Sequence, residues 1–377
     1  MKFDSELINF NKEEWIKYQN ETLNMLNEVY KDDKSKVNQA LILENAAFLA
    51  KSKLDKKYYK AKEDSEHKRV YFAPVLLNSV LTVDELVVEA RSYYFDEFDK
   101  LDVNFKPQAK FEYDKDLDEK SLEFADTYVQ QYQFEVKSDR TKVAENDLVE
   151  VSITDPNTKE DRVGKVLVNE QTKHLFSNLI DKEVGQNAVI KDPSGVDVEV
   201  KILAIYEYKA QPITDENVAQ LNLKGAKTLA DAKKIIVDAV HEESFDEALV
   251  KYGEEVLKEM VQKNSFVSVN QEIFSYEFQR MISFYKEIDP EKLKADLFAG
   301  LTNYLWSNIL LIEFDFSISN EEIQQEGAKV MAMTQNQADI TVDKIMLIIL
   351  FRKIGLRFLK TYQNEEYNLV TKYISVK

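Results

Sequence analysis

The chain has 377 residues and a formal net charge of −18, which disfavours a general nucleic-acid binder because the averaged field repels phosphate. It has no cysteine, so disulfides, thiolate metal sites and cysteine nucleophiles are excluded. Only 8 glycines and 6 prolines occur. Collagenous and disordered classes are therefore excluded, and most of the length is predicted to lie in long helices grouped in two or three domains.

The N-terminal part is predicted to mix helices and strands. Apolar residues recur at helical spacing over residues 12–30 and again over residues 37–54, which predicts a helical hairpin joined by a polar loop. Residues 86–95 follow a period of two, as a half-buried strand does, and residues 1–10 are a candidate for a further strand. These patterns predict an N-terminal α/β domain over residues 1–108.

A helical connector and then a β-rich segment follow. Residues 114–134 are predicted to form a helix within a connector at residues 109–142. The apolar residues that share one face of this helix are Leu117, Leu122, Phe124, Ala125, Tyr128 and Tyr132. Short β-rich runs then alternate with turn signals at residues 155–157 and 192–195, which predicts a small β-rich domain over residues 143–208.

Helical periodicity returns after Pro212. Thr228 is predicted to cap a long helix, because Asp231 stands three residues later in the capping-box position. Further helices are predicted over residues 270–287, 290–313, 319–336 and 340–363. Residues 209–377 are therefore predicted to form a helical domain, and the fold class is α+β and mostly helical.

No pattern in the sequence points to catalysis. The three histidines lie apart, and neither a Gly-rich phosphate loop nor a Gly-x-Ser-x-Gly motif occurs. The run from Asp114 to Asp118 begins like a calcium loop, but Glu119 stands where such a loop needs glycine. The sequence predicts no metal site and no cofactor.

Two surface features remain to be explained. One is a basic stretch, residues 51–69, which is either a solvated face or a surface that docks on an anionic partner such as a ribosome. The other is a high density of large apolar side chains in the C-terminal helices. Core packing explains most of them, and an open surface that binds unfolded chains explains the rest. The large apolar residues are Phe274, Phe278, Met281, Phe284, Tyr285, Phe298, Tyr304, Trp306, Met331 and Met333.

The order of these segments resembles trigger factor, a family of ribosome-associated bacterial chaperones. The most specific stretch runs from Gln211 to Ile282, where a Pro, a short acidic helix and a long helix are similar to the family's passage out of its isomerase domain. The break from Asn264 to Asn270 has Asn270 where the family has Pro. The resemblance implies an FKBP-like domain over residues 143–208 and C-terminal helical arms that form a cradle.

The ribosome-docking loop of that family is eroded in this sequence. The family pattern Gly-Phe-Arg-x-Gly-Lys falls on residues 29–34, where Tyr30, Lys31 and Lys34 survive and both glycines are lost. The acidic residues Asp32 and Asp33 also reduce the attraction of the loop for RNA phosphate. The resemblance therefore implies weakened ribosome docking through Tyr30, Lys31 and Lys34.

The prolyl isomerase segment of the family is eroded as well. The pattern Ile-Pro-Gly-Phe-Glu falls on residues 173–177 and keeps only Phe176. Isomerisation crosses a barrier of about 18–20 kcal/mol in an apolar, aromatic-lined pocket. Loss of that lining implies at most a weak isomerase, with Phe176 as its pocket candidate.

With the resemblance, the sequence predicts an ATP-independent chaperone that binds unfolded or nascent polypeptides in a helical cradle. The client-binding candidates are Phe278, Met281, Phe284, Tyr285, Met331 and Met333. Two alternatives stay open: a prolyl isomerase acting through residues 143–208, and an adaptor or scaffold without catalysis.

The expected surroundings and partners follow from the same features. The charged first residues and the short apolar runs predict neither a signal peptide nor a membrane span, so the cytoplasm is expected. We expect no membrane partner and no sequence-specific nucleic acid. The ribosome is expected as a partner only if the eroded loop still binds it. Formation of a homodimer stays an open alternative.

Overall fold

The computed structural model describes residues 1–54, 56–63, 67–154, 161–191, 197–284, 289–333 and 341–374. The chain divides into two compact units. The first is Met1–Glu112 with Asp246–Leu369, and the second is Tyr113–Phe245 with Val370–Lys377. The described residues form ten α-helices and two antiparallel sheets, so the predicted α+β, mostly helical class is confirmed.

The sheet of the first unit is built around one central strand. Strand β4, Leu86–Phe95, pairs antiparallel with β1, Lys2–Asn9, on one side. On the other side it pairs with β2, Val70–Tyr71, and β3, Val75–Leu81. The predicted strand at residues 86–95 is confirmed, but side chains on both of its faces are buried, whereas the period of two predicts one buried face.

Two helices pack on this sheet and bury its core. Helix α1, Lys12–Val29, and helix α2, Gln39–Ser52, begin at Asn11 and Asn38, whose side chains accept a backbone N–H of the first turn. Trp15 is fully buried and donates its indole N–H to the carbonyl of Thr82 at 2.9 Å. The predicted helical hairpin is therefore present.

The remaining helices of the first unit come from the C-terminal part of the chain. They are the later part of α5, Leu229–Lys263, then α6, Gln271–Phe284, α7, Pro290–Glu313, α8, Asn320–Met333, α9, Val342–Tyr362, and α10, Asn364–Val370. Residues 285–287 and 334–336, which were predicted to continue α6 and α8, lie outside the described residues. Helix α10 was not predicted.

The second unit contains one sheet, one long helix packed beside it and the start of α5. Helix α3, Leu117–Gln131, leads into β5, Gln133–Lys137. Next come β6, Leu148–Thr154, β7, Asp161–Leu167, the short helix α4, Lys173–Phe176, β8, Asn187–Lys191, and β9, Asp197–Ala210. Strand β9 pairs with β5, β6 and β8, and β7 pairs with β6.

Two sequence predictions in the second unit have different outcomes. The helix predicted to reach residue 134 ends at Gln131, because residues 133–137 pair with β9 as a strand. The capping box is present, since the Thr228 hydroxyl accepts the Asp231 N–H at 3.2 Å and the Asp231 carboxylate accepts the Thr228 N–H at 3.0 Å. The turns predicted at residues 155–157 and 192–195 lie outside the described residues.

The four predicted segments, residues 1–108, 109–142, 143–208 and 209–377, stay a prediction. None of the helices in the described ranges combines the length and the apolarity that crossing a membrane requires.

Candidate functional site: exposed apolar surfaces

An aromatic cluster lies on α6 and α7 of the first unit. The rings of Phe274 and Phe278 stack with centroids 6.3 Å apart, and Phe298 meets Phe274 edge-on at 6.2 Å. Phe298 is 55% exposed. The ammonium of Lys294 lies 5.5 Å from the centroid of the Phe278 ring. We call Phe274, Phe278 and Phe298 the α6–α7 aromatic patch.

The predicted client-binding residues are distributed over different parts of the first unit. Phe278 belongs to the α6–α7 aromatic patch, and Met281 is half-buried further along α6. Met331 is exposed on α8. The side chains of Phe284 and Met333, and residue Tyr285, lie outside the described residues. The sequence places Phe298 among the large apolar residues but not among the client-binding candidates, and its exposure makes it the most accessible ring of the patch.

A second apolar surface lies on α3 in the second unit. Phe124 is 52% exposed, and Leu122 and Tyr128 are also exposed. Phe124 contributes to two shallow grooves of about 580 and 360 Å³. Their other apolar lining side chains include Leu117, Leu223, Ile236, Val240, Tyr128 and Tyr132. We call Leu122, Phe124 and Tyr128 the α3 apolar patch.

The sequence pattern assigned all the apolar residues of α3 to one face, and the structure separates them. Leu117, Ser121, Ala125 and Val129 are buried and follow one another at spacings of four residues. Phe124 and Tyr128 precede these positions by one residue and fall on the neighbouring, solvent-facing side. An apolar stripe wider than the core needs indicates that some of its residues are exposed, but not which ones.

The rings of the α3 surface form a continuous row. The centroids of Phe124 and Tyr128 are 6.1 Å apart, and those of Tyr128 and Tyr132 are 5.4 Å apart. Burial raises the pKa of the Tyr128 phenol, and the nearby Tyr132 adds to the shift. The Tyr128 phenol therefore stays neutral at physiological pH, and the row offers aromatic faces and edges for contact.

The loop that resembles the ribosome-docking motif follows α1 directly. Tyr30 is half-buried and donates its backbone N–H to the carbonyl of Leu26 at 2.8 Å. Lys31 and Lys34 are exposed. The Asp33 carboxylate accepts the hydroxyl of Ser35 at 2.6 Å. A docking role for Tyr30, Lys31 and Lys34 stays a prediction.

Phe176 lies at the end of α4 against the core of the second sheet. Its ring is half-buried and packs on a cluster that contains the buried residues Val149, Val151 and Ile202. This packing gives Phe176 a structural role. A role of Phe176 in an isomerase pocket stays a prediction.

Titratable groups do not gather at either apolar surface in a way that indicates metal chemistry. Within the described ranges, no group of three or more His, Asp or Glu side chains is arranged to hold a metal ion. What both patches expose is aromatic and aliphatic area. Exposed apolar patches on proteins are found at contact surfaces for other proteins, membranes and ligands.

The structure thus defines an α+β protein with exposed apolar patches on each of its two units. No protein-family model matches the sequence. No curated protein matches it either. Among solved structures, the chain is similar to a trigger factor chaperone described as showing promiscuous substrate recognition in folding and assembly activities. The sequence identity is 16% and the TM-score is 0.33, over 96% of this chain and 99% of that one.

Proposed function

We propose that this protein is an ATP-independent chaperone that holds unfolded or nascent polypeptides on its exposed apolar patches. The observation that supports the proposal most is the exposure of clustered aromatic rings, with Phe298 at 55% and Phe124 at 52%. Rings in such clusters would be covered in a protein that needs them only for its own core.

Area burial accounts for binding without any catalytic group. Fully burying a Phe side chain contributes about 1.5–3 kcal/mol, so one patch binds weakly and several patches engaged together bind tightly. Each weak contact can be broken separately, which allows the client to leave as it folds and buries its own apolar residues. No nucleotide is needed for such release.

The acidic composition suits this role. A formal net charge of −18 keeps a protein with exposed apolar area soluble and attracts basic clients. Unfolded basic polypeptides are therefore the proposed preferred clients, with apolar contact as the main source of affinity and charge as the source of rapid encounter.

The variant Phe298→Ser tests the proposal. Because about half of this ring is already covered, its loss is expected to weaken client binding by about 1 kcal/mol, a factor of roughly five. The measurement is light scattering by a denatured, aggregation-prone client that is diluted into buffer with increasing amounts of this protein. The variant should need roughly fivefold more protein for the same suppression.

Val163→Ser is the matched control, because Val163 is an exposed apolar residue on β7 outside both patches. It should suppress aggregation as the unchanged protein does. If equimolar wild-type protein leaves client aggregation unaltered, the chaperone proposal is wrong and a scaffold without a folding role is favoured.

A further inference from the structure

A groove of about 640 Å³ in the first unit lies apart from the α6–α7 aromatic patch. Its walls come from α2, from β3, from α6 and from the short turn of residues 56–59. Its lining side chains include Phe48, Lys51, Tyr59, Leu76, Tyr276 and Arg280. We call this feature the β3 groove.

One wall of the β3 groove is the outer edge of a sheet. Strand β3 pairs with β4 along one edge, and no strand of the described residues pairs with its other edge. The Leu76 carbonyl accepts the ammonium of Lys51 at 3.3 Å, so this carbonyl faces away from β4 and toward the groove. Because backbone groups alternate in direction along a strand, the amide and carbonyl of Asn78 face the same edge. The Leu76 amide already donates to the Tyr276 hydroxyl, so the backbone groups of Asn78 are those that remain available there for another strand.

The cation in this groove lacks an opposite charge. Lys51 is half-buried, and burial lowers the pKa of its ammonium. Within the described ranges, no carboxylate lies at ion-pair distance from it, and it donates to the neutral carbonyl of Leu76. Arg280, by contrast, donates to the Glu277 carboxylate at 2.6 and 2.9 Å. A carboxylate beside Lys51 would supply the missing charge.

The other walls are mainly aromatic, and the cation Arg280 among them is paired with Glu277. Phe48 is 52% exposed, and Tyr59 is also exposed and donates its hydroxyl to the carbonyl of Lys51. Burial raises the pKa of Tyr276 to about 12, so its phenol stays protonated. These walls suit apolar side chains that flank a charged one on an extended strand.

We propose that the β3 groove binds an extended peptide segment that pairs with the free edge of β3 and places an Asp or Glu side chain against Lys51. The occupant follows from charge complementarity, because a half-buried cation stands in a groove of an otherwise acidic protein. The proposal goes beyond general client binding and concerns different residues. It also gives one residue of the basic stretch 51–69 a specific role.

The test uses the full chain and labelled seven-residue peptides that are acetylated and amidated, so that neither terminus is charged. One peptide alternates Val and Tyr around a central Glu, and its partner has Gln instead. Fluorescence anisotropy should show the Glu peptide binding about tenfold more tightly, as a charge-assisted hydrogen bond provides. A Glu peptide with N-methylated backbone amides should lose this binding, because it cannot pair with the strand edge.

Two variants assign the preference to Lys51. Lys51→Met keeps an unbranched chain without the charge and should abolish the preference for Glu over Gln, whereas Lys51→Arg should retain it. Lys53→Met is the matched control, because Lys53 is exposed just beyond the end of α2. Phe48→Ser should weaken both peptides equally, and Phe298→Ser should change neither, which separates this proposal from the chaperone proposal.

Equal affinity of wild-type protein for the Glu and Gln peptides would overturn the proposal. A preference that survives in Lys51→Met would overturn it as well. If a Gln peptide with a free C-terminal carboxylate matches the Glu peptide, the groove recognises chain ends and the assignment to a side-chain carboxylate is wrong.

Discussion

Replacing Gly253 with alanine is expected to lower the free energy of unfolding by about 3 kcal/mol or more, because it overpacks a closed helix contact. A Cβ at this position would overlap the carbonyl oxygen of Phe351 on α9 and lie 2.6 Å from its carbonyl carbon. Backbone atoms cannot avoid the overlap by changing rotamer as a side chain can, so α5 and α9 must move apart. A Cβ on the nearby Gly355 would also lie too close, 2.7 Å from the Leu249 carbonyl oxygen, so the whole contact must shift together.

Gly300→Ala is the control for this prediction. Gly300 lies within α7, and a Cβ there meets no atom within 4 Å. The substitution is expected to stabilise the protein by up to about 1 kcal/mol, since alanine favours helix over glycine. Urea unfolding followed by circular dichroism measures both. A loss below about 0.5 kcal/mol for Gly253→Ala would mean that α5 and α9 are not closely packed in solution.

The second large effect is expected at a partly buried ion cluster. Asp246 on α5 accepts two hydrogen bonds from the guanidinium of Arg352 and one from the ammonium of Lys329 at 2.6 Å. Arg352 also donates to Glu326 at 2.8 Å. Asp246→Asn would leave two cations with only one carboxylate, and removal of one partner from a buried pair costs about 3–5 kcal/mol.

The acid dependence of this loss has a definite sign. Burial alone would raise the pKa of Asp246, but Arg352 and Lys329 outweigh it and hold the pKa below its usual range. A carboxyl whose pKa is lower in the folded state contributes stability above its unfolded pKa of about 3.9 and loses it as the pH falls through the folded value. The stability difference between wild type and Asp246→Asn should therefore be full at pH 7 and shrink below about pH 4.

Urea unfolding at a series of pH values checks this expectation. Asp296→Asn, an exposed position on α7, should stay within about 0.5 kcal/mol of wild type throughout. A difference for Asp246→Asn that is small at pH 7, or that grows as the pH falls, would show that the ion cluster does not stabilise the folded state.

Local signals account for the elements that the sequence predicted well. The predicted helix at residues 290–313 has the observed bounds of α7, because Pro290 suits a first turn and the Asp289 side chain accepts the Glu291 N–H. The end of α3 was placed too late, because residues 133–137 owe their strand to pairing with β9, far along the chain. The grouping of residues 1–112 with 246–369 is likewise set by contacts between distant segments.

The apolar surfaces were predictable in kind and only partly in detail. The high density of aromatic residues in the C-terminal helices predicts Phe278 as a client-binding candidate, and Phe278 lies in the α6–α7 aromatic patch. Periodicity could not tell that Phe124 is exposed and Ala125 buried, since both lie near the boundary of one apolar stripe. Lys51 stood out only as one of several basic residues, because its lack of a carboxylate partner depends on the fold around it.

Calorimetric titration with a permanently unfolded polypeptide, at several temperatures and salt concentrations, tests the chaperone proposal most directly. Binding through the exposed patches buries apolar area, so a negative heat-capacity change is predicted, with affinity that persists at high salt. The chaperone proposal would be contradicted by absence of binding. It would be contradicted equally by binding with no heat-capacity change that disappears as salt is added.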